Sequence, residues 1–274
     1  MLRGVRAPIP MSSSSIVYLY AGPSLHGTRH QFVQPGPDAS GAPLVWMPPA
    51  RRGDAQALVA RHAEPGILAL ADGTFHSYPA IGHIELRQAM EHGWTVVGLC
   101  SMGAIRASEM RHLGARPWGR VAKMFCDDAE LPDDEVALVH GAEPPWLPLS
   151  EPMIHIREFL RQMRALDALT EDAARHIVGS MRERWYGERT LARLRALVND
   201  NVDAKQAAFL LGKLADFQPY RLKQQDLEAF VASQPWSTLP HPSKSPPSGD
   251  LQADDHRRPP PEGARKLGSG PSFS

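Results

Sequence analysis

The sequence predicts an α/β protein with a mainly parallel sheet flanked by helices, a helical C-terminal subdomain and a disordered tail. Short apolar runs alternate with amphipathic stretches over the first half of the chain, which is typical of a parallel sheet. From about Met153 the apolar residues recur only at helical spacing. After Pro235 the chain is rich in Pro, Ser, Gly and charge, and it has too few apolar side chains to offset the entropy of ordering.

Each predicted strand is an apolar run bounded by turn-forming residues, and each predicted helix carries apolar residues on one face. The predicted strands lie at residues 16–20, 44–47, 67–71, 94–100 and 136–140. The helices between them are predicted at residues 54–62, 82–91 and 102–113. Further helices are predicted from residue 153, over 177–198 and 204–214, with a last turn at 227–231.

These elements divide the chain into four parts. A disordered leader is predicted at 1–15, an α/β core at 16–155, a helical subdomain at 156–234 and a disordered tail at 235–274. Because the tail lacks core-forming side chains, truncation after Gln234 is expected to leave the thermal midpoint nearly unchanged.

The composition excludes several classes of function. The formal net charge is zero and there is no basic run, so nothing favours a nucleic-acid partner. No apolar run reaches the roughly 20 residues that span a bilayer, and the N-terminus lacks the apolar segment of a signal peptide. The only two cysteines, Cys100 and Cys126, lack metal-site spacing and favour a reducing compartment. We therefore expect a cytoplasmic protein without a membrane anchor.

The most informative residue is Ser101, where a predicted strand passes directly into a predicted helix. A hydroxyl at this point lies at the carboxyl end of the sheet, beside the N–H groups of a helix N-terminus. The G-x-S-x-G nucleophile pattern is matched only in part, because Leu99 stands where the first glycine is expected. Ser101 is thus a candidate nucleophile, anion-binding hydroxyl or helix cap.

Other polar groups also follow predicted strand ends. These are the turn from Gly22 to Ser24, the pair Asp72-Gly73, and His140. Ligands of parallel sheets bind outside the carboxyl ends of the strands, so these groups and Ser101 are expected to share one rim. Asp72 could orient a histidine or contact substrate, although Asp-Gly is also a common turn.

The predicted helices contribute further candidates. His83 could be a general base near the rim, while Glu85 could contact substrate or favour the helix N-terminus electrostatically. Arg106 could hold an anionic substrate, or it could pair with Glu109 on a solvated helix face. The acidic run at residues 133–135 could bind a cation, but a solvated loop explains it equally well, and no metal site is predicted.

Several of these segments, in this order, resemble the TfuA-like family, which accompanies YcaO proteins in thioamide formation. The similarity extends from about residue 16 to 157, and more weakly to about 215. Cys100 and His155 stand where the resemblance leads us to expect a small residue and an asparagine. The segments that carry the resemblance are Tyr18-Leu19-Tyr20-Ala21-Gly22-Pro23-Ser24-Leu25, Ala71-Asp72-Gly73-Thr74-Phe75, His83-Ile84-Glu85-Leu86, Ser101-Met102-Gly103-Ala104-Ile105-Arg106-Ala107-Ser108-Glu109, and Asp133-Asp134-Glu135-Val136-Ala137-Leu138-Val139-His140-Gly141, followed by Ser150-Glu151-Pro152-Met153.

The resemblance implies an accessory protein of peptide backbone thioamidation in the biosynthesis of ribosomally made peptides. It implies two partners, a YcaO-type enzyme and a ThiS-like sulfur-carrier protein whose thiocarboxylate the chain would hydrolyse. Ser101, His83, Asp72 and His140 are the implied catalytic residues, and Arg106, Glu85, Glu109 and Ser24 are the implied substrate contacts. No cofactor is expected, since the sequence has no Walker motif and ATP binding belongs to the YcaO partner.

Three functions remain open at this point. A thiocarboxylate hydrolase would use Ser101 as a nucleophile, or water activated directly by His83 or His140. A non-catalytic adaptor would dock a sulfur carrier or a peptide to the YcaO enzyme. A small-molecule or anion-binding α/β domain would use Ser101 only as a ligand or cap.

Overall fold

The computed structural model describes residues 15–74 and 78–239 of the chain. The predicted leader, apart from Ser15, and the predicted tail from residue 240 onward lie outside the described residues. No helix in the described part is both long enough and apolar enough to cross a bilayer.

The described chain forms six strands and nine α-helices, joined by short 3-10 turns. The strands are β1 (Val17–Tyr20), β2 (Gly36–Pro37), β3 (Leu44–Met47), β4 (Ile67–Leu70), β5 (Thr95–Gly98) and β6 (Arg116–Pro117). The helices are α1 (Asp54–Arg61), α2 (His83–Glu91), α3 (Met102–Glu109), α4 (Gly119–Asp127), α5 (Met153–Ala165), α6 (Glu171–Arg182), α7 (Leu191–Asn201), α8 (Ala204–Ala215) and α9 (Leu222–Ser233).

The α/β prediction with a mainly parallel sheet is confirmed. The strand order is β2-β3-β1-β4-β5-β6, and only the short edge strand β2 runs antiparallel to its neighbour. The register aligns Val17 of β1 with Leu44 of β3 and Ile67 of β4. Four strands coincide with the predicted runs at 16–20, 44–47, 67–71 and 94–100, so their carboxyl ends meet at one edge of the sheet.

The central strands are buried on both faces, as expected for a parallel sheet covered by helices. Val17 and Leu19 of β1 point to one face, where they join a cluster that includes Leu227 and Phe230 of α9. Tyr18 and Tyr20 of β1 alternate to the opposite face, which α1 and α2 cover.

The prediction of a strand at 136–140 is wrong. The chain makes a 3-10 turn at Asp133–Glu135 and then pairs with its own downstream loop, through a single antiparallel bridge between His140 and Pro148. The position beside β5 is occupied by β6 instead. Val136 is apolar and fully buried because it packs against α3 and α4 in a separate cluster, and not because it belongs to the sheet.

The predicted helical subdomain exists as a layer of four helices, but its last helix belongs elsewhere. Residues of α5, α6, α7 and α8 share one apolar core. Helix α9 returns to the sheet and packs against α4, which the sequence analysis missed. The predicted boundary at residue 155 therefore does not separate the chain into two independent cores.

The prediction that the disordered tail begins at residue 235 is wrong. Residues Pro235–Ser237 form a 3-10 turn, and the Trp236 ring is buried with its centroid 5.1 Å from that of Phe230. The folded chain therefore extends beyond Gln234, because one aromatic side chain completes the apolar cover of the sheet.

Candidate functional site

A cleft of about 150 Å³ opens at the carboxyl ends of β4 and β5. This is the edge at which ligands of parallel sheets bind. Its volume is below the roughly 300–1,000 Å³ of pockets for drug-sized ligands, so it suits a chain end or a small anion. Polar side chains from well-separated parts of the chain line it, namely Arg51, Asp72, Ser101, His140, Tyr186 and Lys223.

Ser101 stands at the turn between β5 and α3, which packs tightly against the end of β4. The N–H groups of Ser101 and Gly103 both donate to the carbonyl of Ala71, at 3.1 and 3.3 Å. A Cβ at Gly103 would lie 1.6 Å from the Leu70 carbonyl oxygen, so only glycine permits this approach. The small residue at 103 thus brings the strand and helix together, as the sequence indicated.

The Ser101 hydroxyl does not cap α3. It occupies the N-cap position, but its side chain makes no capping hydrogen bond. Instead the buried Oγ donates to the carbonyl oxygen of Val136 over 3.4 Å. The Ser101 carbonyl already accepts the N–H groups of Ala104 and Ile105. The hydroxyl is therefore held at the cleft by the segment that follows the 133–135 turn.

The neighbouring Cys100 is a structural residue. Its backbone has a φ of 63°, in the left-handed region that non-glycine residues rarely adopt. Its thiol is completely buried and donates to the carbonyl of Lys223 at 3.2 Å. Burial raises the pKa of this thiol well above its usual value, so the sulfur stays protonated and is not a nucleophile.

Asp72 lines the cleft, but its carboxylate is committed to the loop after β1. One oxygen accepts the N–H groups of Gly22 and Ser24 at 2.8 and 2.9 Å, and the other accepts the Ser24 hydroxyl at 2.8 Å. No histidine among the described residues hydrogen bonds to Asp72, so the geometry does not support the hypothesis that it orients one. Ser24 is fully buried and donates to Asp72, so the geometry does not support the prediction that it contacts substrate.

His140 reaches the cleft from the extended segment after Val136. Its Nδ1 lies 2.7 Å from the Gly141 carbonyl oxygen. Because a carbonyl only accepts, Nδ1 carries the proton, and Nε2 is the ring nitrogen that can accept one. The prediction that His140 shares a site with Ser101 and Asp72 agrees with this geometry, although no strand carries it there.

Lys223 of α9 is the cleft residue that the sequence analysis missed. Its side chain is 1% exposed, and Nζ donates to the Val136 carbonyl oxygen at 3.1 Å. Burial lowers the pKa of the ammonium group, against the opposing effect of Asp72, Cys100 and Glu151. A lone lysine in a helical stretch carries no local signature, and only the return of α9 to the sheet brings it here.

The other predicted catalytic histidine, His83, lies outside the cleft. Its Nε2 is 2.8 Å from Glu109 Oε2, which also accepts from Arg106 Nη1 at 2.7 Å. The side chains of His83 and Glu109 are 53% and 40% exposed, so this is a surface cluster. The hypotheses that His83 is the base and that Arg106 and Glu109 hold substrate beside Ser101 are therefore not supported by the geometry.

Glu85 has a structural role at the start of α2. Its two oxygens accept the N–H groups of Gly82 at 2.7 Å and Gly53 at 2.9 Å. The side chain therefore joins the N-termini of α1 and α2, and it does not contact the cleft.

The acidic run at 133–135 is paired with arginines. Both Glu135 oxygens accept from Arg157, at 2.8 to 3.1 Å, and Asp134 pairs with the buried Arg189 at 2.6 Å. Arginine donors thus occupy two of the three carboxylates, those of Asp134 and Glu135, and they fix the turn that precedes Val136.

Part of the chain matches the model of a known protein family. The model of the TfuA-like protein family matches residues 72–190. This segment of the chain is similar to TfuA-like proteins. The family is associated with thioamide formation, accessory to YcaO proteins. A comparison with curated proteins found no match.

Several residues of the cleft lie in the segment that matches the family model. Asp72, Ser101 and His140 lie inside the matched segment, together with the surface cluster of His83, Arg106 and Glu109. Arg51 and Lys223, which also line the cleft, lie outside the matched segment.

Proposed function

We propose that this TfuA-like protein hydrolyses the C-terminal thiocarboxylate of a ThiS-like sulfur-carrier protein and releases sulfide for a YcaO-type enzyme. The observation that carries the proposal is the common cleft of Ser101, Asp72 and His140 at the carboxyl edge of the sheet. A buried hydroxyl and a histidine with an accepting nitrogen are the groups that acyl transfer requires.

The size and charge of the cleft favour an anionic chain end as substrate. Its volume of about 150 Å³ accommodates a terminal group and not a folded surface. Arg51 supplies positive charge, and the Asp72 carboxylate is held by three hydrogen-bond donors from the loop after β1. A thiocarboxylate at the end of an extended tail has the matching charge and shape.

The proposed reaction conserves atoms and charge. Ser101 Oγ attacks the thiocarboxylate carbon, and the hydroxyl proton passes to a base. The C–S bond breaks, sulfur leaves with the electron pair and a proton as HS⁻, and an ester to Ser101 remains. Water then attacks the ester carbon, and His140 Nε2 accepts one of its protons and passes it to Ser101 Oγ as the ester C–O bond breaks. The carrier leaves as a carboxylate, and the second water proton is released to solvent.

Sulfide release from purified protein and a carrier thiocarboxylate tests the proposal. Ser101→Ala should reduce the rate by at least about 100-fold, since it removes the nucleophile. Ser108→Ala is the matched control, because Ser108 also hydrogen bonds a backbone carbonyl from α3 but lies outside the cleft. His140→Ala should slow breakdown of the ester and allow the acylated protein to be detected by mass spectrometry.

Three outcomes contradict the proposal in different ways. Carrier binding without sulfide release would indicate an adaptor. If the protein neither binds the carrier nor releases sulfide, an anion-binding domain is the remaining hypothesis. Release by Ser101→Ala at the wild-type rate would exclude the serine as nucleophile and favour water activated by His140.

A further inference from the structure

Arg51 places a guanidinium group at the mouth of the cleft. The side chain is exposed and lines the cleft, whereas Lys223, which also lines it, is buried and donates to the Val136 carbonyl oxygen. In the part of the chain that the structure describes, the hydrogen bond that Arg51 donates comes from its backbone N–H, which lies 2.8 Å from Asp54 Oδ2. The donors of the guanidinium group are therefore available to a ligand that enters the cleft.

The backbone on both sides of Arg51 is fixed. Ala50 forms a parallel bridge with Gly73, which itself lines the cleft. The N–H of Arg52 donates to the Pro79 carbonyl oxygen at 2.9 Å. Residue 51 is therefore anchored to the cleft wall on one side and to the neighbouring loop on the other, so its side chain starts from a defined position.

The aromatic ring of Tyr78 supports the guanidinium group of Arg51. Arg51 Cζ lies over this ring, 3.9 Å from its centroid. The Tyr78 carbonyl oxygen accepts from the Thr74 hydroxyl at 3.2 Å, and both residues line the cleft. A guanidinium group that lies over an aromatic face keeps its N–H donors directed outward, in its own plane. The contact thus restricts an exposed side chain and leaves its donors free.

The carboxylates near Arg51 do not neutralise its charge. Asp54 accepts from the backbone N–H of Arg51, and Asp72 is held by three donors from the loop after β1. No ion pair among the described residues includes Arg51. The positive charge at the mouth of the cleft therefore lacks a counter-ion from the described chain.

We propose that Arg51 binds the terminal anion of the carrier protein and gives the cleft its specificity for a negatively charged chain end. The inference rests on the proposed function and names the residue that recognises the substrate. Two parallel N–H groups of a guanidinium match the two outer atoms of a carboxylate or thiocarboxylate. Tyr78 is a positioning residue that holds these donors at the mouth.

The proposed contact places the chain end next to the nucleophile. Ser101 lines the same cleft, whose volume is only about 150 Å³, so an anion held by Arg51 lies near the serine hydroxyl. The carbon of a thiocarboxylate is a weak electrophile because its group carries a negative charge. A guanidinium hydrogen bonded to that group offsets this charge and favours attack by Oγ.

A double-mutant cycle tests whether Arg51 recognises the charge of the chain end. The protein is varied between wild type and Arg51→Gln, and a ThiS-like carrier is prepared with a C-terminal carboxylate or carboxamide. Neither end carries sulfur to release, so calorimetric titration measures binding alone. We expect the wild-type protein to bind the carboxylate carrier at least about 10-fold more tightly, since the hydrogen bonds involve charged groups. Arg51→Gln should bind both carriers equally.

Arg52→Gln is the matched control for loss of an arginine. Arg52 is also exposed, but its Nε donates to the Ala80 carbonyl oxygen at 3.3 Å and it does not line the cleft. This variant should keep the preference for the carboxylate carrier. Thermal unfolding checks that each variant is folded at the temperature of the titration.

Two substitutions test the positioning role of Tyr78. Tyr78→Phe keeps the ring and should keep the preference, whereas Tyr78→Leu removes the ring and should lose most of it. With the thiocarboxylate carrier, Arg51→Gln and Tyr78→Leu should both raise the KM for sulfide release by at least about 10-fold, with a smaller change in kcat.

The outcomes separate this proposal from the proposed function. A carboxylate preference that survives in Arg51→Gln, or that is lost equally in Arg52→Gln, overturns the role of Arg51. An unchanged preference in Tyr78→Leu overturns the positioning role. If the wild-type protein shows the Arg51-dependent preference but releases no sulfide, the hydrolysis is overturned and the anion contact is supported. If it binds neither carrier, both proposals are overturned.

Discussion

At the scale of single residues, His155 shows how burial and two neighbours fix a protonation state. Its Nε2 accepts the N–H of Lys223 and therefore carries no proton, while Nδ1 donates to Glu151 at 3.0 Å. Burial lowers the pKa of His155 from 6.5 to about 4, although Glu151 acts in the opposite direction. The hydrogen bond from the Lys223 N–H, which positions the start of α9, therefore requires the neutral His155 ring.

The first prediction concerns acid stability. An unfolded His155 binds a proton near pH 6.5 but the folded residue does so only near pH 4, so the free energy of unfolding should fall as the pH drops between these values. The loss attributable to His155 is on the order of 3 kcal/mol, at about 1.4 kcal/mol per pKa unit. Urea unfolding at a series of pH values measures it.

His155→Gln is the control, because it keeps a polar side chain that does not titrate. This variant should lose most of the slope between pH 6.5 and about 4.5. Glu151 contributes only at lower pH, since burial raises its pKa but hydrogen bonds from His155 and Arg221 lower it further. An unchanged slope in His155→Gln would contradict the assignment.

The sequence predicted the positions of residues best where a strand end fixes them. Asp72 and Ser101 follow β4 and β5 directly, so the rule for parallel sheets brought them together. Arg106 and Glu109 lie outside the cleft because each helical turn moves a residue about 5.4 Å along α3, away from the cleft. Lys223 could not be predicted, since nothing in the sequence states that α9 returns to the sheet.

At the scale of elements, the turn at 133–135 controls the wall of the cleft. Glu135 is 1% exposed and accepts three hydrogen bonds from Arg157. The next residue, Val136, supplies the carbonyl that Ser101 and Lys223 share. The ion pair on one side of the turn therefore helps to position the carbonyl on the other side, at the wall of the cleft.

The second prediction tests this link. Glu135→Gln should lower the free energy of unfolding by about 2 kcal/mol, because it weakens charge-assisted hydrogen bonds. At equal folded fraction it should also slow sulfide release, because the turn would no longer fix the position of the Val136 carbonyl. Asp133→Asn, at an exposed position of the same turn, should change neither quantity. Equal effects of the two substitutions would refute the link.

The third prediction compares two helical glycines. Gly103→Ala should destabilise the fold by more than about 2 kcal/mol, because its Cβ would lie 1.6 Å from the Leu70 carbonyl oxygen. Gly212→Ala in α8 meets nothing within 4 Å and should stabilise it by about 0.5–1 kcal/mol. Urea unfolding of both variants decides the matter, and a stable Gly103→Ala would show that α3 can shift.

At the scale of the whole molecule, the fourth prediction concerns where the fold ends. Truncation after Leu239 should leave the thermal midpoint unchanged, whereas truncation after Gln234 should remove the buried Trp236 and cost about 3 kcal/mol. This replaces the expectation that everything after Gln234 is dispensable. Thermal unfolding of the two truncated chains, with Trp236→Ala beside them, measures the difference. Identical midpoints would show that Trp236 adds nothing.

The overall architecture could be predicted wherever the spacing of apolar residues follows the burial of their side chains. Alternating apolar runs and amphipathic stretches identified four of the parallel strands and the helical layer. The same signal misassigned 136–140, because a buried apolar run against helices has the composition of a buried strand. Trp236 was missed because a single aromatic in a proline-rich context resembles a loop residue.

The return of α9 to the first strand also has a consequence for how the molecule is made. Leu19 and Phe230 belong to one apolar cluster although roughly 200 residues separate them. Such distant contacts slow folding, because a long loop must close before they form. During synthesis, the face of β1 that carries Leu19 stays uncovered until the last helix emerges. We therefore expect a nascent chain to need chaperone protection, and to bring Lys223 into the cleft beside Ser101 only at the final stage of folding.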